Sequence, residues 1–413
     1  MTKGNFPRHL RERMDIAMQD TPVVLINGPR QSGKSTLVKQ YSPSLPYFTL
    51  DDDNILSVAK YDPMGFISGI GSGTIDEIQR APELFRAIKL SVDQNRKPGR
   101  FLLTGSANLL ALPQIGDSLA GRMEVLTLLP LSLAEIERRN NDFLHCAQNQ
   151  SWLPPSKNWK QLDVEQILTG GYPELYIRDT PSRRNAWAKS YIKAIVERDV
   201  KDISSIEKLV EMPRLLEMLA HQSGKLTNFT QMGGQIGLDT KTTQKYTGLL
   251  ETLFLVNQLR VWHGNALNRI IKTPKIYFLD SGLLAALSRC TSEGLQRDRS
   301  LLGPLLETWV YGELLKAMTI SEDESWDIYY YRDKDQVEVD FVLENHARKV
   351  IGIEVKASST VAHQDFRGLR KLASLAGKDW ISGIVLYNGT QCLSFKDNLW
   401  AIPFSLLGGQ GNH

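Results

Sequence analysis

The sequence predicts an α/β protein of several domains: a parallel-sheet domain first, a helical and helix-turn-helix middle, and a second α/β domain at the end. Three observations carry this reading. A short apolar run, Val23 to Ile26, leads into a glycine-rich turn and a helix-forming segment. Past residue 205 the apolar spacing becomes helical, then gives way to two short strand-like runs. After residue 300 a helix, three strand-like runs and another helix follow in order. At 413 residues the chain also exceeds what one ordinary core holds.

Composition narrows the class. Apolar residues make up 42% and charged residues 23%, a globular balance that excludes a disordered chain. The net charge of +3 is nearly balanced, so a nucleic-acid site must be a local patch. Cys146, Cys290 and Cys392 form no CxxC pair, which excludes a disulfide framework and suits a reducing cytoplasm. The basic N-terminus has no apolar stretch after it, unlike a signal peptide, and no run approaches bilayer length. A cytoplasmic protein without a membrane partner is expected.

The segment Pro22 to Ser42 reads strand, turn, helix. Gly28, Pro29, Arg30, Gln31, Ser32, Gly33, Lys34 and Ser35 match GxxxxGK[ST] at every fixed position, and Thr36 joins them as a cofactor-binding candidate. Backbone N–H groups of the turn and the helix start point at phosphates, and the glycines let the main chain come close. Lys34 is expected on the β- and γ-phosphates of ATP and the Ser35 hydroxyl on Mg²⁺.

Thr74-Ile75-Asp76-Glu77 reads as a strand end, with Asp76 on Mg²⁺ through water and Glu77 polarising the attacking water. The alternative is that the acidic pair merely caps the next helix. The apolar run Phe101 to Leu103 ends in Thr104-Gly105-Ser106-Ala107-Asn108, where Thr104 or Asn108 is the expected γ-phosphate sensor. Arg122, after Leu119-Ala120-Gly121, is expected either to stabilise the transferred phosphoryl group or to make a surface salt bridge.

The P-loop, Ile75–Gln79, Leu102–Asn108, and Leu119–Arg122 followed by Leu129-Pro130-Leu131-Ser132 together resemble the bacterial and archaeal AAA-type ATPases that carry a nuclease-like C-terminal domain. The resemblance implies a five-stranded parallel sheet with the P-loop on its first strand, and it runs the length of the chain. It includes Gly170-Gly171-Tyr172-Pro173-Glu174 and Glu197-Arg198-Asp199, whose roles do not follow from the sequence. A homo-oligomer is expected, with a hexameric ring as one form.

In the middle, Leu209–Ser223 has Leu215, Leu216 and Leu219 on one face. A short helix over Asn228–Ile236, a turn at Gly237-Leu238-Asp239 and a helix over Thr240–Leu255 follow. Lys241 and Lys245 stand at the exposed start of that last helix, as a DNA-recognition helix requires. Leu259–Trp262 and Lys275–Phe278 read as a wing. No acidic residue lies between Thr252 and Leu279, whereas Arg260, Arg269, Lys272 and Lys275 are basic, a stretch able to neutralise phosphates. Packing between domains or protein contact is the alternative.

Near the C-terminus, Asp340 ends Glu338-Val339-Asp340, and Glu354-Val355-Lys356 follows on the next strand. Alternation puts Glu354 and Lys356 on one face, within reach of Asp340. The expected roles are Asp340 and Glu354 on Mg²⁺ or Mn²⁺ and Lys356 beside the attacking water. Glu307 or Glu313 would add a carboxylate from the preceding helix, with Glu313 favoured. This order resembles the PD-(D/E)xK, restriction-endonuclease-like fold. Two alternatives stand: a structural ion-pair cluster, or a fold kept to hold DNA.

The expected domains are 1–135 (ATPase core), 136–204 (helical connector), 205–280 (winged helix-turn-helix) and 281–413 (nuclease-like). Three functions fit: a DNA-processing ATPase acting on duplex or branched DNA, an ATP-dependent switch on a protein partner with a silent nuclease-like domain, and a nucleotide-gated nuclease.

Overall fold

The computed structural model describes residues 6–41, 45–106, 119–153, 158–200, 209–264, 269, 273–321 and 326–410. The chain divides into two compact units, one of Arg8–Pro130 with Thr252–Phe254, the other of Met1–Pro7, Leu131–Glu251 and Leu255–His413. The segments expected as connector, helix-turn-helix and nuclease-like domain all fall mainly in the second. Among the described residues no helix is long and apolar enough to cross a membrane.

The first unit is a parallel sheet with helical connections. Its strands are β1 (Val23–Asn27), β2 (Tyr47–Thr49), β3 (Gly73–Asp76), β4 (Phe101–Thr104) and β5 (Met123–Thr127), in the order β2-β3-β4-β1-β5. Every pairing is parallel. β1, β3 and β4 are buried along their whole length, which is why their sequences show apolar runs and no alternation. The helices are α1 (Leu10–Asp20), α2 (Lys34–Tyr41), α3 (Asp53–Tyr61), α4 (Pro63–Ile70) and α5 (Leu84–Gln94). Leu10, Met14, Val24, Leu37, Leu102 and Leu126 share one core cluster. The glycine-rich stretch before Asp76 resolves into the end of α4, a turn at Gly71 with φ of 63°, and β3. β3 is short, so few apolar residues announce it.

The helices Met212–Gln222, Phe229–Gln235 and Thr240–Thr252, in the second unit up to Glu251, precede an antiparallel pair, β6 (Val256–Leu259) and β7 (Lys275–Phe278). Asn228 and Asp239 begin the second and third helices, each accepting a backbone N–H. β6 lies earlier than the expected Leu259–Trp262. Phe254 takes a left-handed φ of 59°, turning the chain so that the apolar run Leu255-Val256 starts the strand. Val261 and Trp262 join a different strand, through a bridge to Tyr330.

The last sheet has six strands in the order β12-β13-β11-β10-β9-β8: β8 (Trp326–Arg332), β9 (Glu338–Asn345), β10 (Val350–Lys356), β11 (Trp380–Tyr387), β12 (Leu393–Phe395) and β13 (Leu399–Pro403). The helix Leu302–Ile320 precedes it in sequence, and the helix Arg367–Ala376 lies between β10 and β11. The three strands after residue 376 were not expected; β11 is a buried, largely apolar run without alternation, a pattern that does not distinguish strand from helix. A second departure lies in the polar stretch Asn140 to Lys160, which by composition reads as a loop: the helix Phe143–Asn149 forms there and buries Phe143, Leu144, Cys146 and Ala147.

Candidate functional site: a phosphate loop and a carboxylate cluster

β1 ends at the phosphate loop, and the loop's shape depends on its glycines. Gly28 has φ of 140°, and a Cβ there would lie 2.3 Å from the Leu128 carbonyl oxygen. Gly33 has φ of 101°, also open to glycine only. Lys34 is the first residue of α2, so backbone N–H groups at the helix start face the loop. The Lys34 side chain is buried and donates to the carbonyls of Gly28 (2.9 Å) and Pro29 (2.8 Å). An ammonium held by its own loop's carbonyls is poised to exchange them for phosphate oxygens. Gln31 is exposed with φ of 59°, Ser32 is buried, and Thr36 points to solvent.

Asp76 and Ser35 meet across the loop. The Ser35 hydroxyl donates to Asp76 Oδ1 at 3.1 Å, Tyr47 donates to Oδ2 at 2.6 Å, and the Thr104 hydroxyl also donates to Oδ1. Burial first, and then this bond to Asp76, raises the Tyr47 hydroxyl above its ordinary range. A hydroxyl and a carboxylate side by side are hard oxygen donors that suit Mg²⁺. With ATP bound, Ser35 and Asp76 would hold that ion, which would neutralise phosphate charge.

Glu77 does not cap a helix with its side chain. Its φ of 60° is left-handed, a strained conformation for a residue with a side chain. Its N–H donates to Thr104 Oγ1 (3.0 Å), and its carboxylate accepts from Gln79, which also donates to Ser106 Oγ (2.9 Å). The Thr104 hydroxyl therefore couples Asp76 to Glu77. Asn108 lies outside the described residues.

Arg122 takes the salt-bridge alternative. Its Nε donates to Asp93 Oδ1 (2.5 Å), Nη2 to Oδ2 (3.1 Å) and Nη1 to the Ala120 carbonyl (3.0 Å). The hydrogen bond from Arg122 holds Asp93 below the ordinary carboxylate range. A role on phosphate would require breaking this fork.

In the second unit β9 and β10 bring Asp340, Glu354 and Lys356 together. Asp340 Oδ2 accepts from the Val355 N–H (2.8 Å), and Lys356 Nζ donates to Glu354 Oε1 (2.8 Å). Burial and then the charge of Asp340 raise Glu354 to about 8 and Glu307 to about 7. Burial would lower Lys356, but the Glu354 carboxylate outweighs it and the lysine stays above its usual range.

The helix carboxylate in this group is Glu307, which accepts from the Tyr277 hydroxyl at 3.1 Å. Glu313, favoured from the sequence, is elsewhere: it accepts from the Leu133 N–H (2.9 Å) and from Lys316 (2.8 Å). Six residues at about 100° each leave the two acids about 120° apart around the helix, on different faces, and the buried Lys316 claims Glu313.

Among the described residues no group of three or more His, Cys, Asp or Glu side chains is placed to hold a metal ion. Glu354 Oε2 is buried without a hydrogen-bond partner, but one free oxygen is not a coordination shell. The donor set as arranged does not fit a dedicated metal centre.

The proposed DNA contacts divide. Lys241 and Lys245 are exposed, one helical turn apart. Arg269 is not available: it forks onto Glu344 (3.0 and 2.8 Å), donates to the His263 carbonyl (2.6 Å), and lies 4.8 Å from the Tyr329 ring centroid. Lys272 lies outside the described residues.

Comparison with known proteins bears on the domain that carries the first of these sites. Residues 20–137 match the family model described as AAA domain. They form an AAA-type P-loop ATPase domain. Residues 161–294 and 302–407 match two further families, each described as a domain of unknown function (DUF8612 and DUF4143). An uncharacterized protein of Mycobacterium tuberculosis is 29% identical over 398 residues, covering 96% of this chain and 83% of the relative. Another, from Methanocaldococcus jannaschii, is 21% identical over 378 residues, covering 87% and 80%. Among solved structures, a Walker-type ATPase of Pyrococcus abyssi is similar at 14% identity with a TM-score of 0.41, covering 67% of this chain and 94% of that one.

Around the ATPase domain's P-loop, three residues escaped the sequence reading. Arg8 donates from Nη1 to the Ser32 carbonyl and from Nη2 to the Leu129 carbonyl (2.6 Å), bracing the loop from before α1. Tyr47 and Gln79 hold the two acids. Each comes from a different element, and no spacing rule links them; only the short distance from Glu77 to Gln79 within Asp76–Gln79 was a visible signal.

Proposed function

We propose that this chain hydrolyses ATP in its AAA-type domain and couples turnover to DNA, with the helix Thr240–Thr252 as the contact. The observation that carries the DNA reading is the pair Lys241 and Lys245, exposed at the start of a helix that follows a short helix and a turn. Three helices followed by an antiparallel pair is the element order of a winged helix-turn-helix, whose recognition helix presents its N-terminal residues to the groove. In the ATPase step Lys34 and the helix start hold the phosphates, Asp76 and Ser35 keep Mg²⁺, and Glu77 orients the attacking water. The domains 1–135, 136–204, 205–280 and 281–413 and a homo-oligomeric ring belong to the same reading.

The C-terminal cluster is read here as nuclease-like in layout, from Asp340 and Glu354-Val355-Lys356 on adjacent strands. A second reading, an ATP-dependent switch on a protein partner, is favoured by one finding: Arg269, central to the basic stretch, is bound to Glu344 instead of open to phosphate.

ATP turnover titrated with single-stranded, duplex and four-way-junction DNA at two salt concentrations separates them. Stimulation that fades with salt supports DNA coupling, because phosphate contacts weaken steeply with ionic strength. Lys241→Glu with Lys245→Glu should remove the stimulation and leave basal turnover intact. Turnover indifferent to every DNA moves the switch reading ahead. Lys34→Ala should abolish turnover in either case.

A further inference from the structure

The carboxylate group around Asp340 has an ammonium built into it. Lys275 is only 3% exposed; its Nζ is ion-paired with Glu338 and stands 5.4 Å from the Tyr330 ring centroid. Two residues further along β7, on the same face, Tyr277 donates to Glu307. One strand thus supplies a cation to Glu338 and a hydrogen-bond donor to Glu307, while Lys356 covers Glu354.

That strand is firmly placed. Tyr330 on β8 donates its hydroxyl to the Thr273 carbonyl (2.6 Å), just ahead of Lys275. Trp262 N–H bonds to the Tyr330 carbonyl (2.6 Å), and Tyr330 N–H to the Arg260 carbonyl (3.0 Å). The Tyr277 ring lies 5.5 Å from Phe341, the neighbour of Asp340. Lys275 therefore reaches the cluster on a rigid element, and its charge is the largest influence favouring ionised Asp340 against burial; it acts on Glu307 as well.

We propose that Lys275 takes the cation's place in this cluster, so that the C-terminal domain admits no divalent ion while β7 is seated and serves to hold a ligand, not to cut it. Four carboxyl groups, Glu307, Glu338, Asp340 and Glu354, meet Lys275, Lys356 and, on Glu338, Arg332 at 3.5 Å. Tethered cations offset the buried charge that a metal ion would otherwise have to offset. The inference rests on the nuclease-like reading of the cluster and is independent of the DNA coupling proposed for the helix Thr240–Thr252.

The test is Mn²⁺ uptake by the full chain without nucleotide, read from the free-ion signal in electron paramagnetic resonance. The unaltered chain should take up no ion that Asp340→Asn removes. Lys275→Met should gain about one ion per chain, lost again when Asp340→Asn is added. Because Lys275→Met leaves Glu338 without its ammonium, a second variant, Lys275→Met with Glu338→Gln, removes the pair together, and circular dichroism checks both folds. Uptake by the unaltered chain that depends on Asp340 overturns the stand-in role alone. No uptake by the folded variants overturns both that role and the nuclease-like reading, while DNA-stimulated ATP turnover stays a separate measurement.

Discussion

At the scale of single residues, the ATP site rests on a few side chains holding others. Glu77 sits in a left-handed backbone conformation with its carboxylate bound by Gln79, and such strain persists only where neighbours enforce it. Glu77→Gln should keep nucleotide affinity and lower kcat by about a hundredfold or more, the range of a general-base loss. Equal turnover would remove Glu77 from the reaction. Tyr47 acts one step further out, through Asp76. Tyr47→Phe should raise the Mg²⁺ concentration needed for ATP binding by roughly tenfold, as for other outer contacts to ion-holding carboxylates. Binding of nucleotide in excess chelator should not move. A loss seen equally with and without Mg²⁺ would instead indicate a general packing role.

At the scale of elements, Trp262 and Arg269 are each tied to β9 by polar contacts. Arg269 forks onto Glu344, and Trp262 Nε1 donates to the same carboxylate at 2.6 Å. The side chains of Arg269 and Glu344 are 15% and 13% exposed, so breaking the pair from one side leaves a mostly buried charge. Arg269→Met should destabilise by roughly 3 kcal/mol, and adding Glu344→Gln should recover part of it. Denaturant unfolding of the single and double variants checks this; a loss below about 0.5 kcal/mol would place the pair among exposed ones. Arg269, one of the basic residues between Thr252 and Leu279, thus became an internal strut, because Glu344 lies far along the chain and only the sheet brings it near.

For the whole molecule, the carboxylate cluster ties stability to pH. Glu307 and Glu354 are raised from 4.5 to about 7 and about 8. The folded chain therefore keeps protons that the unfolded chain has already released above pH 4.5. Their contribution is fully present below that pH and is lost as pH rises toward 8. Glu354→Gln removes one such group, so relative to the unaltered chain its Tm should be higher at pH 8 than at pH 5. An equal Tm difference at both values would mean that Glu354 is not held protonated.

The local sequence alone determined the P-loop, the Asp76-Glu77 strand end, the helices Phe229–Gln235 and Thr240–Thr252 to within a few residues, and the strands of Asp340 and Glu354. In each case contiguous residues carry the signal: turn glycines, capping Asn228 and Asp239, and apolar runs of strand length. Tertiary structure alone decided which charges were already in use. Arg122 went to Asp93, Arg269 to Glu344, Glu313 to Lys316, and Lys275 into the carboxylate cluster. Gly170, part of a motif with no legible role, proved to lie against Asp280, where a Cβ would come within 2.3 Å of its carboxylate. The physical reason is range: hydrogen-bonded turns and strand or helix periods are set by near neighbours, whereas the partner of a buried charge is chosen by whichever distant strand or helix the fold places beside it.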